Sequence, residues 1–263
     1  FSPRAVLVGF HQALSEEIRT GYCAENGIDI NRRITGGGAV FFDENQLGWE
    51  IFCDKAFFNV AVPNVRLFKA LCDPVVAALR RLNVEAAFRP RNDIEVNGRK
   101  ISGTGGTESG ASFMFQGTML VDFDVDTMLR ALRIPVEKLK AKEIDSVKER
   151  VTCLKWETGR VPPLEELKET IRHGFEQCLN IRLEPGGLTR EEERRFRERL
   201  GHFRSPAWID SVRPRFRRRD AVQSAYKAPA GMVRFTLVVD LPRKRLKDIY
   251  ITGDFLAFPG RAL

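Results

Sequence analysis

Arg91-Asn92-Asp93-Ile94-Glu95-Val96-Asn97-Gly98-Arg99-Lys100-Ile101-Ser102-Gly103 reads as two short strands joined by a two-residue turn. Asn-Gly supplies the positive-φ pair that a tight hairpin requires, so residues 93–96 and 100–102 are expected to run antiparallel. Outward from this hairpin, strand-like runs at 5–10, 39–42, 48–52, 84–88 and 112–122 alternate with helical spacing at 14–25, 65–82 and 125–132. Pro162-Pro163 opens a further helix to about Leu179, and 189–200 reads as a helix of interleaved glutamates and arginines. A hairpin-like pair at 233–240 and 248–252 follows. Short strands in hairpins, flanked by helices, predict an α+β protein with a mixed or antiparallel sheet, not a doubly wound parallel one.

Composition bounds the remaining possibilities. A chain of 263 residues can bury a sizeable core, read here as a medium domain, 1–184, and a smaller one, 185–263. The break is placed at Glu184-Pro185-Gly186-Gly187, where composition shifts, and the smaller unit is expected to be incomplete. The first residue is not Met and an apolar run starts within a few residues, so a missing natural N-terminus is expected. No stretch approaches the roughly 20 apolar residues that span a bilayer, which argues against a membrane protein. Five scattered cysteines without a Cys-x-x-Cys fit neither a disulfide framework nor a zinc ribbon, and point to a reducing cytoplasm. His11, His173 and His202 have no metal-ligand spacing. A formal charge of +8 favours acidic partners. The basic run at 213–219 holds a single aromatic, Phe216, too thin a stacking platform for single strands, so nucleic acid is not the expected partner.

Two segments carry the candidate chemistry. Arg32-Arg33-Ile34-Thr35-Gly36-Gly37-Gly38-Ala39-Val40 places three glycines behind two guanidinium groups, where backbone N–H groups could crowd an anion. Lys100, just before Gly103, could reach a phosphate or a developing oxyanion, and Asp93 could orient it if both face one pocket. Residues 104–110 read as a polar, flexible loop suited to closing over a ligand. There is no Gly-Lys-Ser/Thr and no Gly-x-Gly-x-x-Gly, which disfavours a P-loop ATPase and a dinucleotide-binding enzyme.

These segments resemble the lipoate–protein ligase family. The similarity lies in Arg32-Arg33-x-Thr-Gly-Gly-Gly-Ala-Val-Phe-x-Asp, Arg-Asn-Asp-Ile-x-Val-x-Gly-Arg-Lys-Ile-Ser-Gly and Gln116-Gly117-Thr118-Met119-Leu120. Val8-Gly9-Phe10-His11-Gln12 and Asp145-Ser146-Val147-x-x-Arg150-Val151-Thr152 extend it in the same order, and 213–254 is similar to the small accessory domain of these ligases. The resemblance implies a biotin-synthetase fold related to class II aminoacyl-tRNA synthetase catalytic domains. It implies ATP, Mg²⁺ and lipoate (or octanoate) as reactants, an acyl-adenylate intermediate, and transfer to a lysine of an acidic lipoyl-acceptor domain. Such acceptors are 2-oxoacid dehydrogenase E2 or glycine-cleavage H-type proteins. Lys100 is then the catalytic cation. Arg33, Thr35, Gly36, Gly37, Gly38, Ala39, Asn92, Asp93, Ser102, Gly103, Gln116, Gly117 and Thr118 bind substrate or adenylate, with Asp93 a contact for Mg²⁺.

Gln116 stands where the family usually has His, and Cys153 where it usually has Asn. Cys153 reads first as a packing residue. It also raises a competing expectation, because relatives on this fold pass octanoate from an acyl carrier protein through a cysteine thioester without ATP. A basic nucleic-acid-binding module and a biotin ligase are two further readings, the second disfavoured by its different loop pattern.

Overall fold

In a computed structural model of the chain the described residues are 1–58, 65–90, 92–133, 141–213, 221–228, 231–240 and 242–255. Arg91 and most of the basic run, 214–219, lie outside them. In chain order the elements are β1 (Ala5–Val8), α1 (Leu14–Glu17), α2 (Thr20–Glu25), β2 (Asp29–Arg32), β3 (Val40–Phe42) and β4 (Gln46–Asp54). Then come α3 (Val65–Arg81), β5 (Ala87–Arg89), β6 (Asp93–Val96), β7 (Arg99–Ser109), β8 (Ser112–Leu120), α4 (Val125–Ala131), α5 (Ala141–Lys148), α6 (Leu154–Thr158) and α7 (Leu164–Leu179). The chain continues through α8 (Arg190–Phe203), α9 (Pro206–Ile209), β9 (Ala221–Ala228), β10 (Gly231–Asp240) and β11 (Arg245–Gly253).

These elements pack as two compact units. One comprises Phe1–Pro3, Phe42–Thr127 and Val136–Gly187; the other comprises Arg4–Phe41, Met128–Pro135 and Leu188–Leu263. The chain changes unit at Gly187, close to the composition break. The unit that takes the later residues also takes Arg4–Phe41, so compact units and linear stretches divide this chain differently.

The first unit is built on an antiparallel sheet of order β4-β8-β7-β6-β5. Period-2 alternation sends Trp49, Phe113, Phe115 and Met119 to one face, where they meet Leu71, Val75 and Leu79 of α3 and Leu167, Ile171 and Phe175 of α7. The two helices cross closely at Gly174, where a Cβ would stand 2.2 Å from the carbonyl oxygen of Pro74. The sheet's other face stays open along β4, with Gly48, Glu50 and Phe52 exposed. Phe52 retains 69% of its accessible surface.

In the second unit β1 and β2 pair in parallel, with Ala5 opposite Asp29 and Val8 opposite Arg32, in a sheet of order β2-β1-β3. Val6, Val8, Ile18, Cys23, Ile28, Phe41, Ala131 and Leu132 form its core. The same unit holds the antiparallel sheet β11-β10-β9. Helix α8 begins with a capping box, Thr189 accepting from the Glu192 N–H at 3.2 Å while Glu192 accepts from the Thr189 N–H at 2.7 Å.

Two expectations change. Residues 14–25 form two short helices, because Ile18 leaves helical geometry to bridge Leu132. The expected loop at 104–110 is strand for all but its last residue: Thr104–Ser109 continues β7, Thr104 pairing with Gly117 and Ser109 with Ser112. Gly106 serves packing within the sheet, since a Cβ there would lie 3.0 Å from the Met114 carbonyl oxygen and 3.1 Å from the Phe113 ring.

Gly117 has a similar role. A Cβ there would stand 2.2 Å from Cζ2 of the buried Trp49. Gly117→Ala is therefore expected to lower unfolding stability by about 1–3 kcal/mol through overpacking, read by urea denaturation. An unchanged midpoint would contradict the packing described.

Candidate functional site

The open face of the five-stranded sheet collects most of the candidate residues in the first unit. Asp93 is opposite Gly103, Glu95 opposite Lys100, and Gly105 opposite Gln116, which is itself opposite Glu50 on β4. Gly48 and Thr118 pair one step along on the same face. Lys100 belongs to this set through an irregularity. In a regular strand residues 100 and 103 point to opposite faces. Between Ile94 and Glu95 the register with β7 slips by one, leaving Ile101 as the extra residue. The bulge restores parity, so Lys100 and Gly103 share a face and the Lys100 Nζ lies 2.7 Å from Asp93 Oδ1. Gly103 leaves the space for that reach: a Cβ would sit 2.7 Å from both Cε and Nζ of Lys100.

Asp93 is held from two sides. Arg89 donates to its Oδ2 and lies 3.3 Å from Glu95 Oε2 through Nη1. The Lys100 side chain is 36% exposed, so its ion pair contributes at most about 1 kcal/mol to stability. The arrangement is better explained as aiming an ammonium group than as holding the fold. Asn92 donates through Nδ2 to the Thr104 carbonyl at 2.9 Å and accepts at its own carbonyl from the Thr104 N–H and hydroxyl, both at 2.8 Å. It thus ties β7 to the entry of β6. Ser102 is fully buried on the face shared with Ile94, and its Oγ has no hydrogen-bond partner among the described residues.

Arg33, Thr35, Gly36, Gly37, Gly38 and Ala39 belong to the other unit. There the arginines shape the loop from inside. Arg33 donates from Nη1 to the Leu7 carbonyl at 2.9 Å, and from Nη2 to the carbonyls of Gly36 at 3.3 Å and Gly38 at 2.7 Å. Burial pushes its pKa down to about 10. Among the three glycines only Gly37 has a positive φ, +92°, and its carbonyl presses within 2.0 Å of where a Cβ on Gly9 would be. The Gly37 N–H donates to the Phe255 carbonyl at 3.2 Å, and Phe255 stacks on His11 at 4.9 Å between centroids. Thr35 is buried and accepts the Phe10 N–H at its carbonyl, 2.9 Å away.

Sequence reasoning missed Arg32 as the organiser of this unit. It is 4% exposed and donates to five carbonyls, those of Gly9, Phe10 and Gln12 through Nη1 and those of Trp208 and Ile209 through Nε. Arg89 was also missed. Its spacing of four from Asp93 becomes a contact only once β5 and β6 are known to pair.

Residues 2–176 match the lipoyl protein ligase A/B catalytic domain family. The chain belongs to that family. It is 28% identical over 256 residues to the lipoate-protein ligase LplJ of Bacillus subtilis, covering 95% of this chain and 73% of that protein. It is 24% identical over 232 residues to the octanoyltransferase LipM of Staphylococcus epidermidis, covering 80% and 84%. Among solved structures it superposes with a TM-score of 0.71 and 27% identity on the bipartite lipoate protein ligase of an archaeal lipoylation system from Thermoplasma acidophilum, a study that includes its E2 lipoyl domain. Coverage there is 81% of this chain and 83% of that one. A lipoate-protein ligase A bound with ATP superposes at TM-score 0.69 and 25% identity, over 80% and 83%. The α+β architecture expected from the hairpins is the fold of these lipoate ligases. No helix among the described residues is long and apolar enough to cross a membrane.

Relatives of both kinds make the thiols of this family member informative. Cys153 is fully buried ahead of α6, and burial pushes its thiol up to about 11. Cys72 is buried as well and is raised to about 12. Cys178 is exposed. In a thiol-reagent time course at pH 8, Cys178 should label first, and Cys153 only at the rate of unfolding. Rapid labelling of Cys153 in the folded protein would show an accessible thiolate and overturn this assignment.

Proposed function

We propose that this protein is an ATP-dependent, AMP-forming lipoate–protein ligase acting on lipoate or octanoate. The observation that carries the reading is the Lys100–Asp93 pair, aimed across Gly103 on the open sheet face, in a chain whose Cys153 is buried and protonated at neutral pH. Residues 1–184 are assigned to catalysis and 185–263 to an accessory domain.

In the first step the acid's carboxylate oxygen attacks the α-phosphorus of ATP. An O–P bond forms, the bond to the bridging oxygen breaks, and pyrophosphate leaves. In the second step an acceptor lysine amine attacks the acyl carbon, the C–O bond to phosphate breaks, and AMP leaves as the amide forms and loses its proton. Negative charge builds on the carbonyl and phosphate oxygens in both steps, and Lys100 is the cation assigned to stabilise it. Asp93 and Arg89 hold Lys100 in place. Gly105 keeps side-chain bulk off the face, Gly103 and Gly48 admit the Lys100 side chain and the Phe1 ring, and Gln116 and Thr118 supply polar edges to it. The loop of Thr35, Gly36, Gly37, Gly38 and Ala39, shaped by Arg33, is assigned to the acyl-adenylate.

No group of three His, Cys, Asp or Glu among the described residues could hold Mg²⁺ by itself. Asp93 is the carboxylate assigned to contact the ion alongside the phosphates of ATP; its Oδ2 accepts from Arg89, while its Oδ1, 2.7 Å from Lys100 Nζ, is buried with no hydrogen-bond partner among the described residues. The positive charge of the chain suits acidic lipoyl-acceptor domains of the E2 or H-protein type, and the Thermoplasma ligase described with its E2 lipoyl domain supports that partner class. Cytoplasmic residence accords with five free cysteines.

The similarity to LipM keeps ATP-independent octanoyl transfer as the second reading. Intact-mass analysis of an apo acceptor domain separates the two. With lipoate and Mg-ATP the lipoyl adduct should form, require ATP, persist in Cys153→Ser, and slow by roughly 10²–10³ in Lys100→Ala. Octanoylation from octanoyl carrier protein without ATP, lost in Cys153→Ser, would establish the transferase instead.

A further inference from the structure

Lys100 is anchored by more than its own hairpin. At residues 99–103 β7 has parted from β8, whose pairing with it ends at Thr104 and Gly117, and the vacated edge is taken by residues 150–152. The Lys100 N–H donates to the Arg150 carbonyl at 2.8 Å, and the Lys100 carbonyl accepts from the Thr152 N–H at 2.8 Å, a one-residue parallel bridge centred on Val151. The next turn continues the wedge, with the Lys155 N–H donating to the Val121 carbonyl at 2.9 Å. A bridge one residue long has little cooperativity of its own, and its position needs a further constraint.

Glu157 supplies it. This carboxylate, 13% exposed, accepts at Oε1 from Arg99 Nη2 at 2.7 Å and from the Thr152 hydroxyl. Arg99 immediately precedes Lys100 on one strand, and Thr152 immediately follows Val151 on the other. One oxygen thus ties together the two chain segments on either side of the Lys100 bridge. Successive side chains of a strand point to opposite faces, so Glu157 works from the side of the sheet away from the Lys100 ammonium.

We propose that Glu157, with Arg99 and Thr152, is a positioning residue that fixes the backbone at Lys100 and hence the direction of its ammonium group. The role rests on the ligase reading and goes beyond it by naming what holds the catalytic cation from behind. Glu157 is not in the stretch whose motifs suggested the site. It lies on the first helix after the Arg-Val-Thr segment, and its importance emerges only when residues 150–152 are seen to pair with Lys100.

The test is Glu157→Gln in the full chain, with Thr152→Val as a second variant that removes the hydroxyl donor at similar volume. Adenylate formation per folded molecule should fall by about tenfold in kcat, with KM for lipoate and ATP changed little, since a displaced cation weakens the transition state and not the ground-state complex. In a Lys100→Ala background the same substitution should have no further effect, because it acts through Lys100. Native-state amide exchange should speed up at Lys100 and Thr152 while Ile94 and Phe115 stay protected. A purely structural residue would lower stability equally in both backgrounds and leave kcat per folded molecule intact, and that result would overturn the proposal. Unchanged exchange at Lys100 and Thr152 would overturn it as well, and needs no activity at all. Wild-type protein that makes no adenylate would instead sink the ligase reading, leaving the exchange measurement to decide whether Glu157 fixes this backbone.

Discussion

One extra residue in one strand governs the candidate site. Without the bulge at Ile101 the side chains of Lys100 and Gly103 would face opposite sides of the sheet, and Lys100 would be directed at the α3–α7 core. With it Lys100 meets Asp93 at 2.7 Å on the open face, while Ile101 and Ser102 are buried on the other. A charge placed inside the core would have to be paired or neutralised. The same core that packs Phe115 and Leu79 therefore fixes which face Lys100 can occupy. Bulges commonly re-aim a side chain beside a functional site, and here the re-aimed residue is the only lysine of the Arg-Lys-Ile-Ser-Gly motif.

In the other unit the organising force is different. Arg32 and Arg33 donate to carbonyl oxygens, five bonds from Arg32 and three from Arg33, and Arg32 Nη2 is buried with no partner among the described residues. Irregular loops expose carbonyls that no strand or helix partner satisfies, and a guanidinium with five donors can gather several at once. The glycine loop keeps its shape because Arg33 pulls the carbonyls of Gly36 and Gly38 inward, and Gly9 allows the Gly37 carbonyl to approach. The two arginines, read from sequence as flanking an anion site, also scaffold the loop they precede.

Much of the architecture was legible in the chain. The Asn97-Gly98 turn identified its hairpin correctly, with Asn97 at φ +49° and Gly98 at φ +77°, and the apolar spacing of 65–82 and the Pro162-Pro163 start gave α3 and α7 nearly to the residue. What failed did so for physical reasons. Residues 104–110 look like a loop because glycine and threonine also punctuate turns, whereas here Gly106 lets Phe113 pack across the strand pair. The helix at 14–25 broke because Ile18 is worth more as a bridge to Leu132 than as a helical residue. Of the candidate site, the motif named Lys100, Asp93 and Gly103, which the strand pairing brings to one face, while the contacts of Arg89 and Glu157 required strand pairings that no local pattern encodes.

Whether this sheet serves to aim Lys100 is best decided at Gly103. An added methyl at residue 103 would collide at 2.7 Å only with the end of the Lys100 side chain, which can swing away with little cost to the fold. The measurement is the kcat for adenylate formation in Gly103→Ala, alone and in a Lys100→Ala background, with stability followed in parallel. We expect near-wild-type stability, a loss of about 10²-fold in kcat when Lys100 is present, and no added loss when it is absent. Full activity in Gly103→Ala, or an equal loss in both backgrounds, would show that the sheet does not aim Lys100.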